Sequence, residues 1–281
     1  MRTAVVTGGG SGLGRAFCLE MARSGAAVLV ADIRADRAAA VADEVGTAGG
    51  TGHALTVDVA DQAAVEHMAT EADRLLGTTD LLVNNAGVAV GGPVGQVPLD
   101  DWHWILDINL RAVVHGCHAF VPRMKAAGNG AIVNVASAAG LISMPEMAPY
   151  NATKAAVVAL SESLYGEVRQ YGVNVTVLCP TFVKTNLLET ARTTDSSALT
   201  AGTLAMERSR TSAEVVAKRA LAAVRAGRPY CVPMLDGRLL WLLWRLFPGM
   251  VTRLMASPRL QDAVRRRAGA QPGAAARKGA A

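Results

Sequence analysis

A short β-rich run, Thr3-Ala-Val-Val-Thr7, leads into Gly8-Gly-Gly-Ser-Gly12-Leu-Gly14 and then into an apolar-periodic stretch from Ala16 to Ala22. This order of strand, glycine-rich turn and helix constrains the fold more than any other feature of the chain. Glycines permit a tight turn and a close approach of backbone to a pyrophosphate, while the N-terminus of the following helix offers N–H groups and positive partial charge. The spacing is Thr-Gly-x-x-x-Gly-x-Gly at Thr7, Gly8, Gly12 and Gly14, which departs from the strict G-x-G-x-x-G pattern.

The same alternation continues. Strands are expected over 2–7, 27–31, 53–57, 80–84, 131–136, 173–178 and 229–232, and helices over 12–24, 35–46, 61–77, 99–126, 150–171 and 212–226. Strands alternating with helices build a parallel sheet covered on both faces. The strand segments, such as Val28-Leu-Val-Ala31, are near-continuous apolar runs, as double burial requires. Right-handed crossovers then make the sheet doubly wound and seven-stranded, with helices on both faces. The 281 residues suffice for one large α/β domain, and no interior linker interrupts them. Cys18, Cys117, Cys179 and Cys231 stand apart in apolar surroundings, consistent with buried, reduced thiols in a cytoplasmic protein. The chain enters its first strand at once, leaving no room for a signal peptide.

A second constellation carries chemistry. Tyr150 and Lys154 are four apart, which places them on one face of a helix, and Ser137 follows the expected strand 131–136, so that its hydroxyl is presented at a carboxyl end where ligands of open α/β sheets bind. A nearby ammonium favours the phenolate, moving a phenol of pKa about 10 toward the range where it exchanges protons near neutrality. The end of the second strand bears on cofactor choice. Asp32 lies where an acidic side chain accepts from an adenosine ribose and repels a 2′-phosphate; the alternative is a helix-capping aspartate. Arg34 and Arg37 are close enough to reach a phosphate, but Ile33 follows the acid and Ser11 occupies the glycine turn, so NAD is expected over NADP.

With these residues in view, the chain resembles the single-domain branch of the short-chain dehydrogenase/reductase family from about residue 2 to residue 233. Further motifs occur in the family's order: Asp58-Val59, Asn84-Asn-Ala-Gly87, Asn109, and Pro180-Thr-Phe-Val183 with Thr185. Thr181 stands where the family usually has glycine, and Thr153 where serine is common. The resemblance implies a Rossmann-type fold and catalytic roles for Asn109, Ser137, Tyr150 and Lys154. It implies cofactor contacts at Gly8, Ser11, Gly12, Leu13, Gly14, Asp32, Ile33, Asp58, Val59, Asn85, Ala86, Gly87, Tyr150, Lys154, Pro180, Val183 and Thr185. It also implies that Lys154 binds nicotinamide ribose hydroxyls, that Asn109 holds a water linking Lys154 to solvent, and that the protein is a homodimer or homotetramer.

Histidines offer no rival site. His115 and His118 have a helical spacing that can bind metal, but no carboxylate or cysteine completes a set, and no catalytic metal is expected. Residues 88–93, 141–148 and 185 to about 206 should line the substrate pocket, the last as a lid. The first two are largely apolar, which suits a bulky hydrophobic alcohol or ketone, steroid-like or long-chain.

Beyond the dehydrogenase domain, expected over 1–235, the segment 236–267 reads as an apolar and basic helical extension, and 268–281, rich in alanine and glycine, as a disordered tail. Residues 238–247 are apolar nearly all round and too short to span a bilayer. Packing on this protein or a partner subunit is expected over contact with a membrane surface through 236–256. The formal charge of +5 is concentrated here, and no motif supports nucleic-acid binding. The function expected is NAD-dependent interconversion of a hydrophobic secondary alcohol and its ketone. An NADPH-dependent 3-oxoacyl reductase is disfavoured by Asp32, and a catalytically silent dinucleotide-binding module by the intact catalytic set.

Overall fold

A computed structural model of the chain describes residues 1–194, 203–204, 206–209 and 211–257. Seven parallel strands form one sheet: β1 (Thr3–Thr7), β2 (Ala27–Asp32), β3 (Thr51–Thr56), β4 (Leu81–Asn84), β5 (Gly130–Val135), β6 (Val173–Leu178) and β7 (Tyr230–Cys231), in the order β3-β2-β1-β4-β5-β6-β7. The order reverses between β1 and β4, so the crevice of a doubly wound sheet opens there. Every expected strand is present.

Alternate residues of β1, β2, β4 and β5 supply two separate cores, which is why these runs are almost wholly apolar, whereas the edge strand β3 has no buried residue. Ala4, Val6, Val28, Val30, Val83 and Val133 face α1 (Gly12–Ala22), α2 (Ala35–Thr47) and α7 (Ala213–Arg225). Val5, Leu29, Leu82, Ile132, Val175 and Val177 face α3 (Gln62–Leu76), α5 (Ala112–Ala127) and α6 (Ala148–Val168). Asp61 caps α3 by accepting from the Ala63 and Ala64 amides, and Ser212 caps α7 by accepting from Val215. All four cysteines are buried free thiols, as expected, and burial raises each thiol's pKa, to about 12 for Cys117 and Cys179.

A buried polar network ties the sheet to this second layer. On paired positions of β4 and β5, Asn84 Nδ2 donates to Asn134 Oδ1 at 2.9 Å, and Asn134 Nδ2 donates to Ser161 Oγ of α6 at 3.0 Å. A Cβ on Gly116 of α5 would come within 2.2 Å of Asn84 Oδ1, so glycine there lets the helix approach the network.

The single helix expected over 99–126 is in fact three pieces: α4 (Leu99–Leu106), a π-helical turn over Asp107–Arg111, and α5. The interruption falls on Asn109, which has no exposed surface and turns its amide to the backbone of Val88. That pairing outweighs regular helix geometry, and π-turns often mark functional positions.

The extension forms α8 (Leu235–Leu246) and α9 (Pro248–Met255). The expectation that this segment packs is met on one face only. Leu240, Trp241 and Trp244 rest on the second core, with Trp241 5.2 Å from Tyr230 between ring centroids, and Val251 is buried. Among the described residues nothing covers the opposite face. The expected tail 268–281, residues 258–267 of the expected extension and residues 195–202 of the lid expected over 185 to about 206 lie outside the described residues. No described helix is long and apolar enough to cross a membrane.

Asn134→Ala would leave Asn84 Nδ2 only the long contact to Cys117 Sγ at 3.7 Å and Ser161 Oγ only its bond to the Val157 carbonyl at 2.7 Å, and each buried bond left unmade costs about 1–3 kcal/mol. The thermal midpoint, followed by circular dichroism, should fall by roughly 5–10 °C. An unchanged midpoint would show that the network contributes nothing.

Candidate active site

The carboxyl ends of the strands bring the expected catalytic residues together. Ser137, just beyond β5, caps a 3₁₀ turn over Ala138–Gly140; its Oγ accepts from the Ala139 amide at 3.1 Å and donates to the Pro180 carbonyl at 3.5 Å. Tyr150 lies in the first turn of α6, buried, with Ser137 as the side chain that pulls its phenol pKa down. One turn on, Lys154 is 4% exposed; its Nζ donates to the Val135 carbonyl at 2.9 Å and stands 5.7 Å from the Tyr150 ring centroid. A Cβ added to Gly87 would meet Asn109 Oδ1 at 3.2 Å and Lys154 Nζ at 3.5 Å, so this glycine keeps the space beside the lysine clear.

Asn109 Oδ1 accepts from the Val88 amide at 2.8 Å, while its Nδ2 donates to the Val88 carbonyl at 2.9 Å and to Thr153 Oγ1 at 3.3 Å. Thr153 in turn donates to the Tyr150 carbonyl at 2.9 Å. A short chain of bonds therefore links the π-turn, the strand-end loop and the tyrosine helix.

Burial decides the electrostatics here. It lowers the Lys154 pKa to about 8, slightly opposed by Cys179. It also raises the Tyr150 phenol above its ordinary value, only partly opposed by the Ser137 hydrogen bond. Lys154 is not among the groups acting on the phenol here: burial sets the direction of the Tyr150 shift, and the ammonium is directed at the Val135 carbonyl.

Expected cofactor-binding residues follow the same rim. Gly8 and Gly12 have positive φ of 60° and 51°, and a Cβ on Gly14 would lie 2.1 Å from the Gly8 carbonyl oxygen, so helix α1 approaches the turn only because position 14 is glycine. Ser11 is the N-cap of α1 yet makes no side-chain capping bond, and no acidic residue occupies the helix's first turn. Leu13 is buried in the first core. Asp32 ends β2, with Oδ2 accepting from the Gly10 amide at 2.9 Å and Oδ1 from the Arg34 amide at 3.0 Å. Helix α2 has Arg34 as its N-cap residue, so Asp32 is not a helix cap. Ile33 is 64% exposed.

Asp58 is exposed and accepts from the Ala60 amide, and the Val59 carbonyl meets His115 Nδ1 at 3.3 Å. Asn85 spends both amide hydrogens on the carbonyls of Thr7 and Gly8, at 2.9 and 3.1 Å, which makes it a brace of the glycine turn. Thr7 was named from sequence only as the first position of the glycine motif, without a role; its hydroxyl accepts from the amides of both Asn85 and Ala86. Its place as the last residue of the first strand was the available signal. Pro180 and Val183 are buried, and Thr185 lies against Gly12, where a Cβ would approach the threonine Cβ to 3.1 Å. No group of three or more His, Cys, Asp or Glu side chains able to hold a metal occurs among the described residues.

The three segments expected to line a substrate pocket also converge. Val90–Gly91 pairs in parallel with Arg192–Thr193, and the Gly92 amide donates to the Glu146 carbonyl at 2.6 Å. Glu146 holds a left-handed φ of 63°, unusual outside glycine. Beneath them an apolar cluster of Val88, Val90, Val97, Ile105 and Tyr150 is flanked by Trp102, Trp104, Met147 and Leu187. A cavity of about 310 Å³ opens between Thr185, Leu188 and Met206. A larger one, about 940 Å³, lies away from this chemistry along β7 and α8.

Residues 2–196 match the model of the short chain dehydrogenase family. This chain belongs to that family. It is 36% identical over 193 residues to a C alpha-dehydrogenase of Sphingobium sp. strain NBRC 103272 / SYK-6, covering 68% of this chain and 63% of the relative, less than two thirds of that protein's length. It is 40% identical over 186 residues to the 1-deoxy-11-beta-hydroxypentalenate dehydrogenase of Streptomyces avermitilis, covering 65% and 69%. A short chain dehydrogenase/reductase from Burkholderia phymatum, solved in complex with NAD, superposes with a TM-score of 0.84 at 33% identity, covering 89% of this chain and 94% of that one.

The residues of this short-chain dehydrogenase fit a dinucleotide. The open glycine turn and uncapped start of α1 suit a pyrophosphate, and each Asp32 oxygen, holding one backbone amide, keeps a lone pair for a ribose hydroxyl.

Burial of Lys154 has a readable linkage. Its folded pKa of about 8 is below the ordinary lysine value of 10.5, so the unfolded chain binds the proton more tightly. This opposes folding in full below about pH 8 and is relieved as pH rises toward about 10.5. In urea titrations, the stability of the parent relative to Lys154→Met should therefore rise across that window. A difference that stays flat would refute the strained, buried ammonium.

Proposed function

We propose that this short-chain dehydrogenase is an NAD-dependent oxidoreductase that interconverts a hydrophobic secondary alcohol, of steroid-like or long-chain type, and its ketone. The observation carrying this reading is the buried pair of Tyr150 and Lys154, with Nζ 5.7 Å from the phenol ring centroid and Tyr150 set in an apolar cluster. When bound, the nicotinamide supplies the hydride acceptor for oxidation and the donor for reduction.

The chain's own groups do the rest. Tyr150 Oη takes the substrate hydroxyl proton in the oxidative direction and returns it in the reductive one. The Ser137 hydroxyl holds the substrate oxygen and stabilises negative charge developing on it. Lys154 has three N–H donors and spends one on Val135, leaving two for ribose hydroxyls and for carrying protons from the tyrosine. Asn109, whose amide is engaged by Val88 and Thr153, acts as a positioning residue that fixes the backbone beside Lys154.

Preference for NAD rests on Asp32 and on two arginines that are already engaged. Arg34 is paired with Asp36 at 3.0 Å, and Arg37 with Glu189 at 3.1 Å, so neither guanidinium stands ready for a 2′-phosphate. The substrate class rests on the aromatic and aliphatic character of the cluster around Tyr150. The intact catalytic set argues for chemistry over a silent binding module.

Nicotinamide absorbance with both cofactors, across hydrophobic secondary alcohols, their ketones and a polyol series, tests this directly. Turnover confined to the polyols would overturn the substrate class. Tyr150→Phe keeps the ring but removes the proton-transfer group, so turnover should fall by about 10²-fold or more while cofactor binding changes little; near-normal turnover would refute the mechanism. Asp32→Ala should weaken NAD and improve NADP relative to it, and an unchanged ratio of kcat/KM for the two would show that Asp32 only braces the turn.

A further inference from the structure

The larger cavity and the uncovered face of the extension form one continuous surface. The cavity, about 940 Å³, is floored by Tyr230, Val232 and Trp241 and rimmed by Arg219, Arg228, Arg238 and Arg245. No aspartate or glutamate lines it, and none of the four guanidiniums makes an ion pair among the described residues. Arg238 Nε donates to the Val232 carbonyl at 2.6 Å, Arg219 donates to Pro233, and Arg245 stands 5.8 Å from the Trp241 ring centroid. Of the carboxylates on adjoining elements, Glu162 accepts from the Tyr230 hydroxyl and Asp236 from the Gly237 amide, and neither is paired with these arginines. The positive field registers on Cys231, whose thiol Arg238, Arg219 and Arg228 pull down against the upward push of burial.

Along α8 the next face is apolar and exposed. Leu235, Leu239, Leu242 and Leu246 follow one another at intervals of one helical turn, and Phe247, Met250 and Leu254 extend the patch onto α9; each is more than half exposed. Arg238 and Arg245 flank this stripe on the cavity side. Trp244 and Leu240 anchor the opposite face of α8 in the core, so the helix cannot roll to hide its leucines.

An apolar stripe beside a band of guanidiniums that make no ion pair among the described residues suits an occupant that is both apolar and anionic. A second copy meeting this face through a two-fold axis would set the arginine band against itself or its near neighbours, with no carboxylate among the described lining residues to answer it. We propose that α8, α9 and the arginine-rimmed cavity dock this protein on an anionic lipid surface, the leucines and Phe247 entering the acyl boundary and the guanidiniums taking headgroup phosphates. This reverses the preference for protein packing drawn from sequence, because the packing demand is met by the tryptophan side alone.

The test is co-sedimentation of the full chain with vesicles of phosphatidylcholine, or of phosphatidylcholine with about 30% phosphatidylserine, at low and high salt. Retention on the anionic vesicles only, lost at about 0.5 M salt, is expected. Arg228→Gln with Arg245→Gln should lower the partition coefficient by roughly 30-fold, and Leu239→Ser with Leu246→Ser should abolish retention, while NAD-linked turnover of a water-soluble alcohol stays at the parent level. Equal binding to neutral vesicles, binding to neither, or retention by both variants would overturn the proposal. So would a lipid-free change in oligomer size in the leucine variant, which would assign the face to a second copy. Vesicle binding is read without turnover, so it stands or fails separately from the proposed reaction.

Discussion

The joint between the ends of β1 and β4 governs the rest of the molecule. The sheet order reverses there, and the Thr7 hydroxyl and Asn85 amide bind the two strand ends into one unit carrying the glycine turn. Gly14 then allows α1 to close on that turn, at a separation no side chain would tolerate. With the turn fixed, Asp32 is held by the Gly10 amide, and Gly87 and Val88 run on from Asn85 to meet Asn109 and Lys154. Cofactor rim and proton-transfer groups are thus two ends of one braced loop system.

Burial sets the chemistry of that system more than charge does. Both titrating groups sit behind the apolar cluster of Val88, Ile105 and their neighbours, and both are pushed toward their neutral forms. A neutral phenol is a ready donor to a carbonyl oxygen, whereas taking a proton from an alcohol requires the phenolate. In the free protein the balance therefore leans toward the donor state, and ligands that bring charge next to Lys154 and Tyr150 would shift it.

Much of this was legible in the sequence because it rests on local patterns. Near-continuous apolar strands separated by amphipathic helices specify a doubly covered parallel sheet, and Tyr150 and Lys154 share a helix face by spacing alone. Asn109 was legible as a position of the family pattern, but its structural setting was not: at the π-turn it bonds to Val88, twenty-one residues away in sequence. The raised phenol was missed for a related cause, since burial is a sum over distant segments while the attraction of a nearby lysine is visible in five residues. The two-sided character of α8 was hidden because its apolar residues run nearly all round the helix, although Leu240, Trp241 and Trp244 pack on the core while Leu235, Leu239, Leu242 and Leu246 face out.

The π-turn at Asp107–Arg111 also bears on how such a chain tolerates change. A wide turn accommodates one more residue than regular helix would, so removing a single residue there could restore an unbroken helix. That repair would leave the two flanking helices in phase, because the wide turn already absorbs the extra residue, whereas removing a residue from regular helix would rotate everything downstream by about 100°. Gly116, Phe120 and Val113 would keep their places against the sheet, and the loss would fall on Asn109 and its bonds to Val88. The irregular turn therefore confines its consequence to one side chain: it carries a residue that regular helix would not hold and sets it against the strand-end loop.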